Sequence, residues 1–185
     1  IIAAAASGLV AATEPIVSGY FANWAQYHNN AFTAESMEPI MEKMDQLYYS
    51  FGYFCPGPGQ IDPYWKTDFP FCDDVQPYQL TSVEPKDAEF YKTLTGYAAK
   101  TGTKMVLSVG GWNFPSAFYS DMASTKESRA VFIKSCMDFM ETNKFDGIDL
   151  DWEYPCSGER EDPIKITCDF FQTTKDEGGD CTQDA

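Results

Sequence analysis

The segment Asp146 to Pro155 reads DGIDLDWEYP, and Asp149, Asp151 and Glu153 occupy every second position in it. On a strand, residues i, i+2 and i+4 project from one face. The spacing therefore gathers the three carboxylates, with successive Cα atoms about 6.5–7 Å apart. Like charges that close in a desolvated site cannot all ionise, so protons are shared and at least one pKa rises. A general acid working at neutral or mildly acidic pH needs that arrangement. The intervening residues Ile148, Leu150 and Trp152 are apolar, which predicts a strand whose opposite face is covered too. A solvated acidic edge would alternate with Thr or Lys. A calcium loop of the EF-hand type would need a D-x-D-x-D-G order that is absent. Asp146 is out of phase with the ladder and is read as structural.

A ladder of this kind needs a sheet to hold it, and the flanking sequence supplies strand and helix signals in alternation. Residues 16–24 (IVSGYFANW) read as a strand, and 34–44 as a helix with Pro39 as its weak point. Residues 46–54 (QLYYSFGYF) form an aromatic strand. Residues 55–83 form a long excursion carrying five prolines, and excursions of that length are functional or disulfide-stapled. Residues 85–100 read as a helix with Phe90, Leu94, Tyr97 and Ala98 on one face. A strand over 103–109 follows. Residues 126–143 then form a helix, with Phe132, Ile133, Cys136, Phe139 and Met140 facing the core. The ladder strand spans 145–153, and 156–185 is polar loop. Alternating strands and helices predict an α/β fold with parallel strands and right-handed crossovers. Both a doubly wound sheet and a (β/α)8 barrel fit that order. No G-x-G-x-x-G or Walker-type loop follows a strand, so nucleotide binding has no support.

Composition narrows the partners. With 13 Lys+Arg against 28 Asp+Glu, the formal net charge is −15. A field of this sign opposes a nucleic acid backbone and an anionic membrane surface. A hydrophobic content of 44% is enough to bury a core. The single histidine, His28, excludes a His-rich metal site and reads as a loop residue. No metal and no cofactor are expected. The six cysteines form no C-x-x-C pair. Their spread over polar loops predicts disulfides and an oxidising compartment. Six cysteines allow 15 pairings; Cys55 with Cys72 is attractive because they flank the excursion, and Cys136 fits a buried thiol.

Several motifs taken together resemble glycoside hydrolase family 18, the chitinases and their relatives. DGIDLDWEYP is similar to the family's D-x-x-D-x-D-x-E signature. Ser108-Val109-Gly110-Gly111 resembles its S-x-G-G, Gly19-Tyr20-Phe21 with Trp24 its first-strand pattern, and Ser50-Phe51-Gly52-Tyr53 its second-strand segment. The resemblance covers residues 16–155 and implies a (β/α)8 barrel of which this chain supplies about the first four β-α units. It implies Glu153 as the general acid on the glycosidic oxygen. Asp151 would orient the substrate's N-acetyl group, and Asp149 would hold a shared proton. The substrate's own acetamido oxygen would be the nucleophile, since this family stands outside the two-carboxylate scheme. Chitin or N-acetylglucosamine oligomers are the implied partner. Tyr20, Phe51, Gly110, Gly111, Trp112 and Tyr154 are candidate substrate-binding residues. Ser108 either hydrogen-bonds the acidic ladder or packs, and Trp152 is expected to pack outward under a helix. No choice is made for Trp65, in the excursion. A chitinase-like lectin keeps the barrel but usually loses the acid. An endo-β-N-acetylglucosaminidase acting on N-glycans shares the ladder, but the residues after it look more like the chitinase branch.

The ends of the chain carry two further expectations. Residues 1–15, largely IIAAAASGLVAAT, read as a signal-peptide remnant or an N-terminal extension, and the protein as secreted. A (β/α)8 barrel needs about 250 residues, so 16–185 is read as the N-terminal part of one. As an isolated piece it should be unstable or associate, because its edge strands are unpaired.

Overall fold

The structure is a computed structural model that describes residues 15–28, 33–58, 72 and 75–155. The expectations on residues 1–14, Trp65, Cys156, Cys168, Cys181 and most of the excursion lie outside them. Four parallel strands make the main sheet: β1 (Ser18–Ala22), β2 (Gln46–Phe54), β4 (Lys104–Gly110) and β5 (Gly147–Asp151), in the order β1-β2-β4-β5. A two-residue strand, β3 (Leu80–Thr81), pairs antiparallel with the end of β2. The helices are α1 (Glu38–Met41), α2 (Asp87–Thr101), α3 (Ser116–Ser124) and α4 (Lys126–Asn143).

Register decides which side chains share a face. Ala22, Ser50, Ser108 and Asp149 stand abreast across the four strands, and Tyr20, Tyr48, Val106 and Gly147 form the next row. The alternate residues Phe21, Leu47, Tyr49, Met105, Leu107 and Val109 are buried on the other face. Burying such a side chain contributes about 1.5–3 kcal/mol, so a slip of one residue would reverse both faces at large cost. Aromatic rings join sheet to helices. Phe21 meets Phe90 and Tyr49 meets Tyr91, both on α2, while Phe54 meets Tyr119 on α3 and Phe132 on α4. Among the described residues the helices cover one face only, and the carboxylate row lies on the other.

Helix ends follow local chemistry. The Thr125 side chain accepts from the Ser128 N–H, while the Ser128 hydroxyl accepts from the Thr125 N–H, a reciprocal cap that starts α4. Gly102 ends α2 at φ 83°, where the absence of a Cβ removes the penalty.

Four expectations need correction. The helix over 34–44 is a 3-10 turn at Ala34–Ser36 followed by the single-turn α1, with Pro39 in its first turn. Helix α3 was not anticipated; it is nine residues long and buries a run of consecutive residues from Ser116 to Tyr119. On α2, Tyr97 packs against the core as expected, beside the buried Phe90 and Tyr91, but Ile133 on α4 is exposed. Leu150 is 53% exposed: β5 is an edge of the described sheet, and no described element covers that position.

Candidate active site

The site is assembled where the parallel strands end. Asp149 lies abreast of Ser108, and Asp151 abreast of Gly110. The Ser108 hydroxyl is buried and donates to Asp149 Oδ2 at 2.8 Å. The Gly111 N–H donates to the Asp151 carbonyl at 3.0 Å, fixing the end of β5 against β4. Burial, then the neighbouring Glu153, then Asp149 push the Asp151 carboxyl above its ordinary range. Tyr20 faces the same acids. Its phenol is raised by burial, then by Asp149 and Asp151, and its ring lies 5.1 Å from that of Tyr48.

Helix α3 positions the segment carrying Glu153. The Trp152 ring stacks on Tyr119 at 5.2 Å, with 11° between planes. Its Nε1–H donates to Ser116 Oγ at 2.7 Å, and the Ser116 hydroxyl donates to the Tyr154 carbonyl at 3.0 Å. The residues on both sides of Glu153 are thus held by the helix. The buried Tyr119 hydroxyl donates to the Val109 carbonyl at the end of β4. Burial, then Asp151 and Asp149, push its pKa well above the usual phenol range.

Gly110 and Gly111 are required by this crowding. Both have positive φ, 104° and 88°. A Cβ on Gly110 would stand 2.5 Å from the Asp151 carbonyl, and one on Gly111 2.7 Å from the Phe51 ring.

Beside the acids opens a cleft of about 350 Å³. One wall is Trp24 stacked on Phe51 at 5.6 Å, with Asn23 and Tyr53. Trp112, Asn113, Val83 and Glu84 also line the cleft, and Gly110, abreast of Asp151, joins it to the ladder. Flat aromatics beside a row of acids suit a ligand with apolar C–H faces and polar edges. Of the candidate binding residues, Phe51, Gly110 and Trp112 line this cleft. Gly111 lies under Phe51, Tyr20 belongs to the carboxylate face, and Tyr154 is exposed beyond Glu153.

Asp146 stands apart. It pairs with Lys104 at 2.9 Å and accepts the Met105 N–H at 3.0 Å. Burial works against its charge, but the Lys104 and Met105 hydrogen bonds outweigh it and hold the pKa below the ordinary value. The excursion is anchored by a Cys55–Cys72 disulfide and by the Tyr78 hydroxyl, which donates to Asp121 on α3 at 2.9 Å. Sequence reasoning missed Asn23, Glu84, Asp87 and Tyr119. Asn23, next to Trp24, and Asp87, in the first turn of a predicted helix, were visible but had no local reason to be singled out. No group of three or more His, Cys, Asp or Glu that could hold a metal occurs among the described residues.

A parallel sheet with helices on one face and acids at the C-terminal strand ends is the architecture of a (β/α)8-barrel enzyme. Residues 16–177 match the family model described as glycosyl hydrolases family 18, and the chain belongs to that family. Mouse chitotriosidase-1 is 33% identical over 138 residues, covering 74% of this chain and 25% of the mouse protein. The Ostrinia furnacalis Group IV chitinase, solved with allosamidin, aligns with a TM-score of 0.64 at 25% identity over 89% of this chain and 39% of its own. Human YKL-39, described as a pseudo-chitinase with retained chitooligosaccharide binding, aligns with a TM-score of 0.58 at 26% identity, over 75% and 32%. The chain thus spans about a quarter of the mouse relative's length.

Proposed function

We propose that this chain carries the acid half of a chitinase site, which hydrolyses β-1,4-linked N-acetylglucosamine polymers with retention of configuration. The observation carrying this reading is the row on one face, Ser108 bonded to Asp149 with Asp151 beside it, and the raised carboxyl of Asp151 next to Glu153. Glu153 protonates the leaving glycosidic oxygen. The substrate's acetamido oxygen attacks the anomeric carbon, giving an oxazolinium-like intermediate with positive charge near nitrogen. Asp151 orients the acetamido group and stabilises that charge. Asp149, held by Ser108, takes part in sharing the proton. Water then opens the ring as Glu153, now a carboxylate, accepts its proton. The sugar chain runs from the acids over Gly110 into the Trp24–Phe51 cleft. The Cys55–Cys72 disulfide supports secretion into an oxidising compartment.

The test is Glu153→Gln in the protein at its full natural length. Turnover of a chitin oligomer should fall by about 10²–10⁴-fold, while binding of the oligomer persists. Unchanged turnover would sink the reading. A second reading, sugar binding without cleavage, draws on the likeness to YKL-39. It predicts an unsubstituted protein that binds oligomers and releases no reducing ends. The retained Glu153, with Asp149 and Asp151, favours the enzyme.

A further inference from the structure

Asp87 is a carboxylate with no place in the chemistry above, yet it is fully buried. It begins α2 and accepts four hydrogen bonds, divided between its two oxygens. Oδ1 accepts from the Tyr49 hydroxyl and from Asn23 Nδ2 at 3.1 Å. Oδ2 accepts from the backbone N–H groups of Val83 and Glu84, both at 2.8 Å. Its neighbours are parts of the cleft. Asn23 lines it and also donates to the Phe51 carbonyl at 3.3 Å, directly behind the Trp24–Phe51 stack. Val83 and Glu84 line the cleft as well, and Glu84 also accepts from the Tyr27 hydroxyl.

One oxygen therefore holds Asn23, next to Trp24 in the chain, and the other holds the Val83–Glu84 turn. A carboxylate is acceptor-only and can serve donors on both sides at once. An amide cannot, because its NH2 must face one pair of N–H or O–H donors and open that side. A buried group stripped of its partner carries its full desolvation cost, so the opened wall would rearrange.

We infer that Asp87 is a positioning residue that sets the width of the sugar cleft by tying Asn23 to the Val83–Glu84 turn, two parts of its lining. The inference rests on the sugar-binding reading of the cleft, but not on hydrolysis. It is tested by titrating chitotetraose against tryptophan fluorescence, in full-length protein carrying Glu153→Gln so that no cleavage intervenes. Asp87→Asn and Asn23→Ala should each weaken affinity about tenfold, the size of one lost buried hydrogen bond to a charged group. The double variant should be no weaker than the single ones, because both act through one connection. Folding is followed by thermal melting. A lower Tm with affinity within twofold of the parent, or additive losses in the double variant, overturns the inference. If Asp87→Asn does not fold, Tyr49→Phe decides, since it removes a donor to the same oxygen from outside the cleft lining and leaves Asp87 three of its donors. Unsubstituted protein that binds chitotetraose without cutting it overturns the enzyme reading and leaves this inference standing. A parent that binds none overturns both.

Discussion

Gly110→Ala and Gly96→Ala are the same substitution with opposite expected signs, and the difference can be worked from the structure. At Gly110 the backbone has φ 104°, a region that costs an L-residue about 1–3 kcal/mol. The added methyl would stand 2.5 Å from the Asp151 carbonyl and 2.8 Å from the Tyr119 hydroxyl. The carbonyl is backbone and cannot swing aside, so β5 must move away from β4. Overpacking of that kind costs about 1–3 kcal/mol. The Gly111 N–H bond to the same carbonyl would weaken, at about 0.5–1.5 kcal/mol. The sum, about 2.5–7.5 kcal/mol, is a large part of an ordinary domain's stability. At Gly96, on exposed helix, nothing lies within 4 Å of the added methyl. Alanine there should stabilise by about 0.5–1 kcal/mol. Urea unfolding with an unchanged m-value reads both. A destabilisation at Gly110 below about 1 kcal/mol would refute the crowding argument. A loss at Gly96 would refute the claim that α2 presents open surface there.

Two acids on β5 and just before it should show opposite pH dependence. Asp151 has a raised folded pKa, so it favours folding below its ordinary value of 3.8 and loses that contribution as pH rises through the raised value. Asp151→Asn should therefore raise Tm at neutral pH, with the gain vanishing under acid. Asp146 has a lowered folded pKa, so its contribution is present above 3.8 and lost as pH falls through the lowered value. Asp146→Asn should lower Tm slightly at neutral pH, by less than about 1 kcal/mol because the Lys104 pair is partly exposed, and the deficit should close on acidification. Parallel profiles for the two variants would contradict the assignment. Cys72→Ala opens a link spanning 17 residues and should cost about 3 kcal/mol of stability. An unfolding midpoint equal to that of the unsubstituted protein would show that the tie contributes nothing.

That Asp149 and Asp151 share one face of a strand was legible in the sequence because the strand period is a local property of the backbone, whereas the strand expected to run to Glu153 ends at Asp151. The order of strands and the long helices α2 and α4 were legible for the same reason. The pair Gly110–Gly111 could be singled out by residue type, although not the atoms that require it. What the sequence left open depends on partners far along the chain. Whether Ser108 bonds the ladder or merely packs is settled by the register of β4 against β5, which sets it abreast of Asp149, 41 residues away. Helix α3 buries the consecutive residues Ser116 to Tyr119, and only the fold shows that Ser116 and Tyr119 hold the residues flanking Glu153. Asp87 looks like an ordinary acid in the first turn of a helix. Only the fold brings Asn23, Tyr49 and the Val83–Glu84 turn around it. The sequence thus determined which residues could do chemistry and on which face of a strand they stand. The tertiary structure decided what holds them there, because burial and hydrogen-bond partnership belong to pairs of distant residues and not to any one segment.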